Sequence, residues 1–242
     1  MNPEVKSRIQ IVLGIALALA AVRTAYILYQ RHPANTTQNA QQAALPLNPD
    51  YYVTPRKLHP YDLRTAKQLT QQPVWVKEGY RYTYYPYANH HADFKHEAGQ
   101  LLPIEELQIK DVVTDITPGA RDQKQVMAVF EKDGKAYAFP IGSESRGDYQ
   151  IYSDEMLYIQ DPHELYKHWP ADVWQAISQH QVKPGMNELQ ADFAIGMGVP
   201  ERSTDPDVKT VNYPHGGSPI SITYRDGKAA VIRQEAGPGT EF

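Results

Sequence analysis

The densest group of chemically capable side chains is the run Asn89–Gly99, NHHADFKHEAG. His90, His91, Asp93, His96 and Glu97 fall within eight residues. Imidazole nitrogens and carboxylate oxygens suit zinc or another divalent ion. The spacing fits neither two histidines one helical turn apart nor the His-Glu-x-x-His pattern of metalloproteases. His90, His91, Asp93 and His96 therefore stand as weak metal candidates beside a plainer reading, a polar surface loop. A second group is aromatic. Val74–Tyr87, VWVKEGYRYTYYPY, alternates as paired strands do, with Glu78-Gly79 as a weak turn. Tyr80, Tyr82 and Tyr84 then share one face, either the core side of a sheet or a surface that stacks on sugar rings or a partner protein. With 17 Tyr against 5 Phe, the chain favours half-buried rings with wet hydroxyl ends.

Other routes to catalysis are poorly represented. The carboxylate pairs Glu105-Glu106 and Asp154-Glu155 are adjacent, and neighbours on a strand point apart. There is no Gly-x-Ser-x-Gly elbow, phosphate-binding glycine loop or dinucleotide fingerprint. The absence of cysteine excludes disulfides, thiolate metal sites, iron–sulfur clusters and covalently attached c-type haem. No catalytic residue and no cofactor is assigned. A net charge of −4 gives no electrostatic footprint for nucleic acid.

The elements that would position these groups begin with Ile9–Tyr29, IQIVLGIALALAAVRTAYILY. At helical rise it is long enough to cross a hydrocarbon core of roughly 30 Å. Gln10 and Arg23 interrupt it, and Tyr26 and Tyr29 would sit at the far interface. The rival reading is a cleavable signal peptide with Ala18-Leu19-Ala20 as its cleavage site. Lys6 and Arg8 precede the span, and after Arg31 no Lys or Arg follows until Arg56. That bias predicts a cytoplasmic tail over 1–8, an inner-membrane helix over 9–29 and periplasmic C-terminal domains. Residues 30–60, rich in Gln, Asn, Ala, Thr and Pro, read as an extended linker. Leu45, Leu47, Tyr51 and Tyr52 are the anchors if that linker orders along a partner.

A β-rich domain is expected over 61–181. A helix over Leu63–Leu69 follows Asp62, and Gln125–Glu131 and Ala136–Ile141 form a hairpin about Asp133-Gly134. Tyr149–Ile159 adds a strand, in a small barrel or twisted sheet of SH3-like type. Asp161-Pro162 and Pro170 open two terminal helices. In 182–232, Asn187 and Gln190 form a capping box. Leu189 and Phe193 share a helix face, with Met186 and Met197 filling around them. Gly196, Gly198 and Pro200 end the helix, and strands over Val208–Tyr213, Ile220–Arg225 and Lys228–Ile232 follow. The overall class is thus α+β: a transmembrane helix, a β-rich domain, then a helix on a three-stranded meander and a flexible tail over 233–242.

Val182-Lys183-Pro184-Gly185-Met186, Gln190, Gly196-Met197-Gly198-Val199-Pro200, Tyr213 and Tyr224-Arg225-Asp226-Gly227-Lys228 resemble the BamE/SmpA-like domain of bacterial outer-membrane assembly lipoproteins. The resemblance covers about fifty residues. It implies a non-catalytic binding module in an envelope complex. This chain departs from that family in lacking the lipidated cysteine and in carrying a large preceding region.

The leading functional expectation is a membrane-anchored scaffold or accessory subunit, with a lipid bilayer and an integral membrane protein complex as partners. Arg23, Tyr26, Tyr29, Tyr80, Tyr82, Tyr84, Met186 and Phe193 are its partner-binding candidates. The alternatives are a peptidoglycan- or glycan-binding protein and a hydrolase with an unrecognised site.

Overall fold

The computed structural model describes residues 17–29, 48–116, 119, 122–203, 205 and 207–234. They belong to two compact units, one up to Tyr51 and one from Tyr52 on. In the first, residues 17–29 form helix α1, and every one of them is exposed.

In the second unit, residues 53–60 run without regular structure, but they are docked. The Arg56 N–H donates to Gln160 Oε1 at 2.7 Å, and the Leu58 and His59 N–H groups donate to the Asp154 carboxylate at 3.0 and 2.8 Å. Helix α2, Leu63–Ala66, starts because Asp62 accepts from Thr65 N–H and Thr65 returns a bond. A 3₁₀ turn, Lys67–Gln71, carries on from it. Strands β1 Val74–Val76, β2 Thr83–Ala88, β3 His91–Ala92, β4 Gly99–Gln100 and β5 Glu106–Leu107 follow. Then come β6 Ile109–Ile116, β7 Gln123–Lys132, β8 Lys135–Ser145, β9 Asp148–Ile151 and β10 Leu157–Tyr158, with helix α3, Ser153–Met156, before β10.

These strands form two sheets. One is seven-stranded, with path β3-β2-β8-β7-β6, β4 beside β2 and β9 beside β8. The other is three-stranded, β10-β1-β5. The β7–β8 hairpin turns at Asp133 and Gly134, both with positive φ (52° and 72°), the tight turn that matches strand twist. Val126–Phe130 is a continuous buried run because both faces of the hairpin are covered. Val126, Ala128, Phe130, Phe139 and Ile141 join a core with Leu69, Val74 and Leu101, while Met127, Val129 and Ala138 pack with Tyr85, Tyr87 and Phe94.

The two ends of the seven-stranded path meet through one side chain. Asp115 on β6 is buried. Its carboxylate accepts from the Ala92 N–H of β3 at 2.6 Å and from the Ile116 N–H at 2.7 Å, and lies 3.0 Å from His91 Nδ1.

Helices α4 Pro162–Leu165, α5 Ala171–Ser178 and α6 Glu188–Ile195 then pack on a four-stranded antiparallel sheet in the order β11-β12-β13-β14. These strands are Val199–Pro200, Val208–Tyr213, Ile220–Arg225 and Lys228–Gln234. Asn187 and Gln190 form a capping box on α6. Phe193, buried, lies within 5.1–6.4 Å of the rings of Tyr158, Tyr166, Trp169 and Trp174. The same core takes in Trp75 and Ile104 from the β-rich part, together with Met186, Val211, Tyr213, Ile222 and Ala229.

The expected fold class is corrected. The molecule is mixed α/β with several sheets, 27% helix and 37% strand. No helix among the described residues is long and apolar enough to cross a membrane. The first part of the Ile9–Tyr29 expectation, residues 9–16, lies outside the described residues, as do the 1–8 tail, residues 30–47 and the tail from 235. The SH3-like barrel is replaced by the seven- and three-stranded sheets. The three-stranded meander is a four-stranded sheet, because Val199-Pro200 pairs with Asn212-Val211. Proline is tolerated there because an edge strand leaves its missing N–H unneeded. The single strand expected over Tyr149–Ile159 is split into β9 and β10 by α3.

Candidate functional site

The Asn89–Gly99 group does not converge. His91 is drawn to Asp115 and His96 to Asp93, the latter pair 2.8 Å apart. His90 is exposed on a turn with positive φ. Among the described residues no three His, Cys, Asp or Glu side chains are placed to hold a metal ion. The tyrosine stripe is also dispersed, because Tyr80 turns the chain with φ 61° and β2 starts only at Thr83. Tyr84 is buried against Phe130 and Tyr137. Tyr80 is wedged edge-on between His180 and His215. Tyr82 lines a cavity. Met186 and Phe193 are in the core, 2% exposed each, and present no surface to a partner. Arg23, Tyr26 and Tyr29 lie on the exposed α1.

Tyr82 opens onto a cavity of about 460 Å³ over the far end of β7 and β8, walled by loop residues Glu78 and Arg81 and by Tyr152 and Met156. A second depression of about 390 Å³ adjoins it, sharing Gln123 and Ser143. Both sizes fall in the range of small-ligand sites. The floor follows from strand register. Gln125 pairs with Ser143 and Ser143 with Gln150, and two residues along Gln123 pairs with Ser145 and Ser145 with Asp148. Side chains two apart on a strand share a face, so these six form two polar rungs across three strands. Gln125 Oε1 is buried and accepts no hydrogen bond. At Gly142 a Cβ would come within 2.3 Å of the Gln150 carbonyl, so glycine is what allows β9 to close against β8 beneath this face.

The wall is charged but internally paired. Arg81 bonds Glu78 at 2.8 Å, and the Tyr82 hydroxyl donates to the same carboxylate at 3.1 Å. Burial, then that carboxylate, raise the Tyr82 pKa, so its hydroxyl stays a donor. The Tyr152 hydroxyl donates to Gln150 Oε1 at 3.0 Å. Lys57 bonds Glu155 at 2.7 Å. Lys77 donates to the Asp154 carbonyl and lies over the Tyr158 ring, and burial lowers its pKa.

A separate polar group stands on α6. Burial, reinforced by the Glu188 charge, pushes the Asp192 carboxyl up to about 7, against the opposing effect of the Tyr213 hydroxyl. Tyr213 and Tyr224 share a buried bond of 2.8 Å between their hydroxyls. Nothing in the local sequence marks Asp192, because its environment is assembled from Glu188 on its own helix and from strand residues some twenty positions away. Gln123, Gln125 and Gln150 were legible only as polar positions in alternating strands.

No family model, no curated protein and no solved structure matches this chain.

Proposed function

We propose that this chain is a non-catalytic accessory subunit that binds protein partners in a cell-envelope complex, with α1 as its docking helix. The observation that carries this reading is the exposure of α1. Leu17, Leu19, Val22, Tyr26, Leu28 and Tyr29 each expose between 59% and 78% of their surface. Large contiguous apolar patches are rare on soluble monomers and mark interaction surfaces. At about 25 cal/mol per Å² of apolar area, covering such a helix is strongly favourable. Arg23 is the one charge among the described residues of this helix and suits an acidic group on the partner. The resemblance of residues 182–232 to a binding module supports the same reading.

The test is affinity capture of the full chain from gently solubilised envelope membranes. A defined partner at fixed stoichiometry is expected. Leu19→Asp with Val22→Asp should abolish its recovery, and Arg23→Leu should weaken it. Recovery of the chain alone, or a partner indifferent to these changes, overturns the proposal.

A further inference from the structure

We propose that the polar face of β7, β8 and β9 is an oligosaccharide-binding site, independent of α1. Along β7 the same face changes character within a few residues. Met127 and Val129 are buried in the small core beneath, whereas Gln125 and Gln123 open into the cavities. The strand register shifts between Val126 and Met127, where the change occurs. Beyond it the two rungs Gln125–Ser143–Gln150 and Gln123–Ser145–Asp148 carry three amides, two hydroxyls and one carboxylate.

Each glutamine amide offers a donor and an acceptor side by side, the pattern that a vicinal diol matches. Gln125 has its acceptor oxygen desolvated and unpaired, a cost that a ligand hydroxyl would remove once the amide turns toward the cavity it lines. Tyr82 and Tyr152 place rings at the rim, with their hydroxyls tied to Glu78 and Gln150. Ring edges and faces of this kind pack on the apolar C–H faces of a sugar. The charges walling the first depression are paired, Glu78 with Arg81 and Glu155 with Lys57, whereas Asp122, Arg146 and Asp148 line the second and offer charge-assisted hydrogen bonds to sugar hydroxyls.

An extended peptide is disfavoured by the ladder. Strand addition needs a free row of backbone N–H and C=O groups. Here β8 is paired on one side by β7 and on the other by β9, so the backbone beneath the centre of the rungs is already used and only the outer edge of the four-residue β9 is open. Recognition at this face falls to side chains, and two adjoining depressions fit at least two sugar units.

The experiment is calorimetric titration of the full chain, kept soluble in a detergent without a sugar headgroup, with tetrasaccharides of glucose, N-acetylglucosamine and mannose. Saturable binding of at least one tetrasaccharide with one site per chain is expected. Gln125→Ala with Gln150→Ala should weaken that binding at least tenfold while leaving thermal unfolding unchanged within a few degrees. The single variant Gln150→Ala, at an exposed position, should weaken it several-fold and guards against a folding artefact. Leu19→Asp in α1 should leave it unchanged, which separates this site from partner docking. Absence of saturable binding across the panel, binding indifferent to both glutamine variants, or a short peptide binding this face in place of the sugars overturns the proposal.

Discussion

Asp115 and Asp192 hold their protons in opposite ways. Burial alone would raise Asp115, but the Ala92 N–H, the His91 ring and the Ile116 N–H outweigh it and hold the carboxyl below its ordinary value. A depressed carboxylate stabilises the fold above its unfolded pKa and loses that contribution as pH falls through the folded one. Asp115→Asn should cost about 3 kcal/mol at pH 7, since an amide cannot accept both backbone bonds and leaves a buried N–H unpaired. The difference from the parent should narrow toward pH 3, read by urea unfolding across pH. Asp192, raised to about 7, behaves in the reverse sense. The folded state keeps a proton that the unfolded chain releases from about pH 4 upward, so stability falls as pH rises to about 7 and then levels off. Asp192→Asn should therefore be more stable than the parent at pH 8, by on the order of 2 kcal/mol given its remaining contact with water, and equal to it near pH 4. Thermal unfolding at the two pH values decides this.

Among the elements, the loop between β1 and β2 packs directly against the end of α6 and so helps to join the two halves of the second unit. At Gly196, which ends α6 with φ 82°, a Cβ would lie 2.6 Å from the Gly79 carbonyl and 3.2 Å from the Tyr80 ring. Gly196→Ala combines a left-handed backbone with that clash and should cost about 2 kcal/mol or more, measured by chemical denaturation. The elements themselves differ in how readable they are. The β7–β8 turn and the α6 caps are short-range events, set by Asp133-Gly134 and by Asn187 with Gln190, and they are legible as sequence. The tyrosine stripe is not, because the positive φ at Tyr80 breaks the alternation before the strand begins. Nor is the junction of β3 and β6, because it rests on a carboxylate that reaches a backbone N–H 23 residues away. The paired rungs of the polar face needed the register of three strands, which no single segment contains.

Taken as a whole, the segment 182–232 does not own its core. Tyr158, Tyr166, Trp169, Trp75 and Ile104 all come from before it and complete the surroundings of Phe193 and Met186. A fragment covering residues 182–242 should accordingly lack the cooperative unfolding transition of the full chain, as followed by circular dichroism, although its resemblance suggests a free-standing module. Chain order adds a consequence during synthesis. Trp169 and its neighbouring rings leave the ribosome about sixty residues ahead of Ala229, the last buried strand residue of their core. At roughly 5–20 residues per second, that interval lasts roughly 3–12 s. For those seconds the nascent chain carries an uncovered aromatic cluster, and this part of the fold is completed only once its last strand has emerged.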